Sequence, residues 1–289
     1  MLIQISCIWL SDLALAMNSL DRRTRERIEV QDKILSAARD LFVRQGFDAV
    51  SMRKIAEAID YTPAALYVHF KDKVELMREL CRRDFAEMDA RVLALQIADP
   101  VERIHRAGEI FIAFGTQHKN QYRLMFMTPH PREVQPTAED LAEMVDPDQN
   151  GYAFMCKAVA EAIAKGRLRD EYGEIQLTVQ TLWSCVHGVT ALHITHSDDP
   201  WVRMRPLRLL GASALDSFLR GMLRPGDAYH AVLDARGAEV AKEVAEMVRA
   251  GSNAELFAPT CVSGPVSAAE KVTAVQSVAE PGRVKGAML

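Results

Sequence analysis

The chain has 289 residues and a net charge of −4, and 49% of its residues are apolar, 26% charged and 7% aromatic. This is the composition of an ordinary globular protein of one or two domains, and it excludes a basic protein that coats nucleic acid without specificity. Residues 21–83 nevertheless hold 14 Lys and Arg against 11 Asp and Glu. A modestly basic N-terminal module therefore precedes an acidic body, a balance that fits phosphate contact and equally fits a solvated surface of mixed charge.

The five cysteines are an odd number, widely separated and without a CxxC pair. They predict neither a disulfide framework nor a zinc site, and they indicate a reducing, cytoplasmic location. The chain also lacks a P-loop, a GxGxxG after a strand, an HExxH motif and a nucleophile elbow. We therefore expect no enzymatic activity, no catalytic residue, no bound metal and no cofactor.

The first 17 residues are largely apolar, but they lack the positive start of a signal peptide and are shorter than the ~20 residues of a membrane span. Two interpretations remain open. Either this is an extra interaction segment, or translation begins at Met17. Residues 1–27 are expected to form a flexible extension, apolar and then basic, and no membrane association is expected.

Apolar residues recur at i, i+3, i+4 and i+7 along most of the chain, which predicts an all-α protein. The last predicted helix is followed, after Gly251, by small and polar residues that predict a mobile tail. The expected helices are 27–45, 52–59, 63–69, 72–97, 101–116, 121–127, 152–165, 174–195, 200–223 and 235–250, with one further turn near 138–144.

Residues 51–70 (SMRKIAEAIDYTPAALYVHF) predict two short helices joined at a tight turn. Ser51 can cap the first helix, and Thr62 followed by Pro63 can begin the second. Together they predict a helix-turn-helix, whose second helix is presented to the DNA major groove. The residues expected to face DNA are Ser51, Arg53, Thr62, Pro63, Ala64, Ala65, Tyr67, His69, Lys71 and Lys73, with Arg22 and Arg23 on a flexible arm that reaches an adjacent minor groove.

This block, the preceding ARDLFVRQGF of residues 38–47 and the following Lys71–Lys73 resemble the DNA-binding domain of TetR-family regulators over residues 28–88. The resemblance implies a three-helix DNA-binding domain at 28–88, a helical ligand-binding and dimerisation domain at 89–224, and a C-terminal helix and tail at 225–289. It also implies a homodimer that binds a palindromic operator on double-stranded DNA, most often as a repressor, and is released by a small-molecule inducer.

By the same resemblance, Ser51, Tyr67 and Lys71 match positions that touch phosphates, residues 62–65 match the base-reading edge, and His69 matches a position oriented to the DNA backbone. The chain departs from the family where Asp60 replaces the usual glycine of the inter-helix turn and where Ala64 and Ala65 replace glycine and a hydroxyl residue. Asp tolerates the left-handed backbone better than most residues.

In the C-terminal part, Trp183, His187 and Gly188 resemble a Trp…His-Gly signature of one class of TetR C-terminal domains. Trp183 and His187 are four residues apart on one helix face, which makes them either pocket or dimer residues or a plain core pair. Gly188 and the small residues 211–214 suit two helices that approach closely in a dimeric four-helix bundle.

A pocket for a hydrophobic inducer is expected where aromatic and apolar residues recur, although a simple core would have the same pattern. The candidates are Phe111, Phe114, His118, Met125, Phe126, Phe154, Trp183 and His187. The alternative function is a helical adaptor that binds only protein or membrane, and DNA binding discriminates between the two. The sequence does not identify the inducer, the operator or the regulated genes.

Overall fold

The computed structural model describes residues 3–136 and 138–250, with side chains from residue 22 onward except those of residues 139 and 143. Within this described part the chain is helical and contains no strand beyond one isolated bridge, Leu168–Leu223. The all-α prediction is therefore confirmed. None of the helices in the same residues is long and apolar enough to cross a bilayer. The predicted mobile tail after Gly251 lies outside the described residues.

Eleven α-helices follow one another in the described residues. They are α1 (Ile3–Gln45), α2 (Met52–Ala58), α3 (Pro63–Tyr67), α4 (Lys73–Leu93), α5 (Pro100–Gln117), α6 (Lys119–Tyr122), α7 (Ala138–Glu143), α8 (Gly151–Ala164), α9 (Ile175–His196), α10 (Leu207–Met222) and α11 (Tyr229–Arg249). A π-helical turn, Arg123–Met127, continues α6, and single 3-10 turns lie at Arg132–Val134 and Asp170–Tyr172.

The head is formed by the C-terminal half of α1, by α2 and α3, and by the start of α4. Ile34, Phe42, Ile55, Leu66 and Leu76 are buried in its core, whose contacts extend to residues of the body. These side chains recur at the spacing that places them on one face of each helix. Burial of this apolar surface holds the two short helices, which at this length are too short to persist alone.

Side-chain caps fix where α2, α3 and α4 begin. Ser51, Thr62 and Asp72 each accept a hydrogen bond from the backbone N–H three residues on, at 3.2, 3.3 and 2.8 Å. These caps agree with the sequence pattern. The carboxylate of Glu75 in turn accepts a hydrogen bond from the backbone N–H of Lys71, just before α4 begins.

The body packs α5, α8, α9 and α10 around a second core, which also includes the start of α11. Glycine is needed at Gly115 on α5, where an added Cβ would lie 2.4 Å from Thr190 Cγ2 and 2.6 Å from the Tyr122 ring. Of the described residues, those up to Ala241 belong to one compact unit, and residues 242–250 at the end of α11 belong to another.

Three helices begin at other positions than expected. α1 starts at Ile3 rather than near residue 27, because residues 17–29 contain neither Gly nor Pro and Arg22 pairs with Glu26 at i, i+4. α10 starts at Leu207 rather than near residue 200, since Pro206 disfavours a helical residue before it. α11 starts at Tyr229 rather than near residue 235, where the Asp227 carboxylate accepts the Tyr229 N–H at 2.9 Å.

Candidate nucleic-acid interface and aromatic cluster

α3 presents most of its surface to solvent. Residues 62–64 are exposed, Ala65 is half-buried, and the side chains of Tyr67 and Val68 are 54% and 73% exposed. Leu66 alone among the residues of α3 is fully buried, and it anchors the helix to the core of the head. The outer face therefore consists of small side chains with one tyrosine at its end, which allows the backbone of α3 to approach the edges of base pairs.

The turn between α2 and α3 has the left-handed backbone that the sequence predicts. Asp60 has φ = +58°, the one positive φ of a non-glycine residue in the described part of the chain. The following N–H, that of Tyr61, donates to the carbonyl of Ala56 at 2.9 Å. This tight reversal sets the crossing of the two helices and so the angle at which α3 projects.

The two lysines predicted to bind phosphate differ in their surroundings. Lys71 is exposed. Lys73 instead donates through Nζ to the carbonyls of Phe47 and Val50, at 2.7 and 2.9 Å, and Nζ lies 4.1 Å from the centre of the Phe47 ring. Two of the three N–H groups of Lys73 therefore close the turn between α1 and α2, which leaves one N–H group for the predicted phosphate contact.

The remaining candidates around α3 differ in their exposure and in their hydrogen-bond partners. Arg53 is exposed and pairs with Glu57 along α2 at 2.7 Å. His69 is half-buried, and its Nδ1 has no hydrogen-bond partner among the described residues. Burial lowers the pKa of His69, and the nearby charge of Arg27 lowers it further. The imidazole next to α3 is therefore neutral near pH 7.

Arg22 and Arg23 lie on α1 and not on a flexible arm, which corrects the sequence interpretation. Both side chains are exposed, and Nε of Arg22 lies 3.5 Å from the carboxylate of Glu26. A helix rises 1.5 Å per residue, so these arginines are held at a fixed distance along α1 from the head.

An aromatic cluster joins α5, α6, the π-helical turn and α9. The ring of Phe126 lies 5.4 Å from that of Phe111, 4.9 Å from that of Tyr122 and 6.0 Å from that of Trp183, measured between centroids. The His187 ring stacks on Tyr122 at 5.7 Å. Four of the predicted pocket residues, Phe111, Phe126, Trp183 and His187, are thus brought together, with their rings in mutual contact.

Tyr122, at the centre of this cluster, was not among the residues predicted from sequence. Its side chain is fully buried, its hydroxyl lies 2.7 Å from His187 Nδ1, and burial raises its pKa above the usual value. A signal was available, since Tyr122 precedes Phe126 by four residues and so shares its helix face. Burial also lowers the pKa of His187, which is therefore neutral near pH 7. Its Nδ1 can then accept a hydrogen bond from the hydroxyl of Tyr122.

The other predicted pocket residues lie elsewhere. Phe114 and His118 stack at 4.9 Å, and the Arg91 guanidinium contacts both. Met125 is buried, and Phe154 is half-buried with no ring contact to the cluster among the described residues. An open cleft of about 510 Å³ lies at the end of α5 instead, and His118 is the predicted pocket residue that lines it.

The structure offers no alternative site of metal or thiol chemistry within the residues it describes. No group of three or more His, Cys, Asp or Glu side chains that could hold a metal ion is found there. Cys81, Cys156 and Cys185 are free thiols, while Cys7 and Cys261 lie outside the described side chains. Burial raises the pKa of Cys81 to about 12, so that thiol is unreactive near neutral pH.

A helix-turn-helix head with an exposed second helix, joined to a helical body, is the architecture of a DNA-binding regulator. Comparison with known proteins agrees. Residues 34–80 match the family model described as bacterial regulatory proteins of the tetR family, and residues 104–206 match the tetracyclin repressor-like C-terminal domain. The two matches cover just over half of the chain, which therefore belongs to the TetR family.

Two curated relatives are similar over the N-terminal part. The transcriptional activator FasR of Mycolicibacterium smegmatis is 30% identical over 115 residues, which are 39% of this chain and 52% of FasR. The transcriptional regulator UidR of Escherichia coli is 33% identical over 86 residues, 30% of this chain and 41% of UidR. The chain thus spans about half the length of these relatives or less.

Solved structures share the fold at low sequence identity. A TetR family transcription regulator from Marinobacter aquaeolei superposes with a TM-score of 0.56 and 17% identity, over 71% of this chain and 100% of that one. The fatty acid degradation regulator FadR from Bacillus halodurans gives a TM-score of 0.51 and 14% identity, over 65% and 94% of the two chains.

Proposed function

We propose that the chain is a ligand-responsive transcriptional repressor that binds a palindromic operator as a homodimer. The observation that carries this proposal is the outer face of α3, which is exposed, lined by small side chains and held rigidly by caps and by the buried Leu66. A helix of this kind fits the major groove of double-stranded DNA. The exposed Tyr67 and Lys71 flank it as donors to phosphate.

The dimer is supported by the outer face of α9. This helix has 22 residues and contains no Asp, Glu, Lys or Arg. Its solvent-facing side includes the exposed Leu177 and Leu192, with Gly188 between them. The hydroxyls of Thr181 and Ser184 donate back to helix carbonyls at 2.6 and 2.7 Å, so they need no water. A long uncharged face with internally satisfied hydroxyls fits a subunit interface and not a solvated surface.

We propose that the inducer binds at the aromatic cluster of Phe111, Tyr122, Phe126, Trp183 and His187. Apolar rings around a buried Tyr–His hydrogen bond match the walls of small-ligand sites, and Trp183 is partly exposed at the edge of the cluster. Because the rings now contact one another, a ligand has to part them, and this would displace the π-helical turn Arg123–Met127 that carries Phe126.

DNA binding is tested by fluorescence anisotropy with the duplex upstream of the chain's own gene. We expect affinity for a palindrome in that duplex to fall steeply with salt, and a scrambled duplex of the same composition to bind much more weakly. Ala64→Glu places a carboxylate on the outer face of α3 and is expected to abolish binding. Its control, Ala113→Glu, changes an exposed alanine of the body and should leave binding intact.

An adaptor that binds only proteins would give no salt-dependent affinity for either duplex, and that result would overturn the proposal. Equal binding of the Ala64→Glu chain and the unmodified chain would show that α3 does not read DNA. A reporter gene behind the same duplex then distinguishes repression, with lower output when the regulator is present, from activation.

A further inference from the structure

An open, polar cleft lies where the head meets the body. It holds about 510 Å³ and is lined by side chains of α1, of the end of α5, of α6 and of the π-helical turn. The lining residues are Arg39, Asp40, Thr116, Gln117, His118, Lys119, Asn120, Gln121 and Arg123. None of the five members of the aromatic cluster lines it, so it is separate from the proposed inducer site.

The walls of this cleft are held in place by hydrogen bonds between the head and the body. Asn120 Nδ2 donates to the carboxylate of Asp40 at 2.8 Å. Arg39 donates twice to the buried carboxylate of Asp84, at 3.0 and 2.5 Å, and Gln121 Nε2 donates to the same carboxylate at 3.1 Å. The cleft is therefore a formed surface between two parts of the molecule and not a gap between mobile side chains.

Positive charge in the cleft exceeds the negative charge available to balance it. Arg39 is neutralised by Asp84, but Lys119 has no ion pair among the described residues. Arg123 donates to a backbone carbonyl, that of Ile194, at 3.1 Å, and likewise has no carboxylate partner in that part of the chain. Lys119 and Arg123 are four residues apart and share one side of the helix. Asp40 is the one carboxylate in the lining.

We propose that this cleft binds a small, polar dianion, such as a phosphate ester or a dicarboxylate, between Lys119 and Arg123. The volume admits a metabolite-sized ligand, and the neutral donors Asn120 and Gln117 of the lining suit its polar groups. Because one wall belongs to α1 and the other to α6, an occupant would contact the head and the body together. It is therefore expected to stabilise the chain against thermal unfolding.

The test is isothermal titration calorimetry at constant ionic strength, with glycerol phosphate and succinate as the two dianionic probes and without DNA. We expect saturable binding of at least one probe. The probe that binds more tightly shows whether the cleft prefers a phosphate or a carboxylate group. Lys119→Gln should weaken binding about fivefold or more, because it removes an exposed cation close to the ligand. Lys165→Gln, at an exposed lysine on the far end of α8, is the matched control and should change nothing.

Asp40→Asn provides a gain of affinity that misfolding cannot mimic. It keeps the oxygen that accepts from Asn120 but removes the one negative charge of the lining, so binding should tighten about threefold. The proposal is overturned if neither probe gives saturable heat up to about 10 mM. It is equally overturned if the Lys119→Gln and Lys165→Gln chains bind alike, since binding would then reflect ionic strength alone. Neither result bears on DNA recognition by α3.

Discussion

Asp60 is strained in the turn between α2 and α3, and this strain can be relieved. Its φ of +58° is one that glycine adopts without cost. Asp60→Gly is therefore expected to raise the free energy of unfolding by about 0.5–1 kcal/mol. Urea denaturation measures this difference. Asp48→Gly is the control, because Asp48 is an exposed turn residue without a positive φ, and there the added flexibility should lower stability slightly.

Lys71 and Lys73 are expected to act on different properties of the molecule. Lys73→Met leaves the carbonyls of Phe47 and Val50 without their donor and should lower the free energy of unfolding by about 1–3 kcal/mol. Lys71→Met removes an exposed cation and should leave stability unchanged. It should instead weaken DNA binding and reduce its salt dependence by about one phosphate contact.

Thermal melts and anisotropy on the same two variants check this contrast. A Lys71→Met chain with unchanged affinity and salt dependence would refute the phosphate assignment of Lys71. A Lys73→Met chain of full stability would show that its two carbonyl contacts are energetically neutral.

The difference between these lysines also marks what the sequence can predict at single residues. Both follow the same motif, and their separate roles depend on the path of residues 46–50, which brings two carbonyls to Lys73 but none to Lys71. The positive φ of Asp60 was predictable from the family resemblance, because Asp60 stands where TetR-family proteins usually have glycine, which adopts a positive φ without cost. Tyr122 was missed because its partner, His187, is 65 residues away in the chain.

At the scale of helices, the contact between α4 and α8 contains a buried acid. Asp89 is 8% exposed, accepts the backbone N–H of Gly151, and has a pKa raised to about 6 by burial. The folded chain thus binds this proton more tightly than the unfolded chain, where the pKa is about 3.8. The stability that protonated Asp89 contributes is therefore present below pH 3.8 and lost as the pH rises through 6.

Asp89→Asn should remove this loss, because asparagine fills the same space without charge and still accepts the Gly151 N–H. Its advantage in the free energy of unfolding over the unmodified chain is expected to grow from near zero at pH 4 to about 2–3 kcal/mol above pH 7. Denaturation across this pH range measures it, with the exposed Asp48→Asn as a control that should show no such trend. An advantage independent of pH would mean that ionisation of Asp89 costs nothing.

The helices themselves were largely predictable, and their errors have physical causes. Periodicity and caps placed α2, α3, α5 and α9 within a few residues. The start of α1 was missed because residues 22–29 are charged and exposed to solvent. A helix of this kind has no apolar stripe from which periodicity could predict it. The contact of α11 with the body was also hidden, since it depends on a hydrogen bond between His105 and Tyr229 across 124 residues.

At the scale of the whole molecule, pairing of two chains should depend on the uncharged face of α9. Gly188→Glu introduces a charge at its centre, and an added Cβ there meets no atom of its own chain within 4 Å. We therefore expect the variant to fold normally and to elute as a monomer in size-exclusion chromatography with light scattering, because a buried unpaired carboxylate is costly in an interface. Affinity for the palindrome should fall at least about tenfold, since both heads are needed for tight binding.

Ala164→Glu, which adds the same charge to the exposed end of α8, is the control and should remain dimeric. A Gly188→Glu chain that stays dimeric would place the subunit interface elsewhere. Periodicity alone does not show which side of a helix is exposed to solvent and which is covered by a partner chain. The sequence therefore suggested this face only through Gly188 and the small residues 211–214.

The absence of charge along α9 has a consequence for dosage. If two chains pair through α9 as proposed, most copies are single when few are present, and the number of paired copies then rises with the square of abundance. Occupancy of a two-fold site would then climb more steeply than expression itself. A modest change in synthesis or turnover would be enough to move the controlled promoter between its extremes.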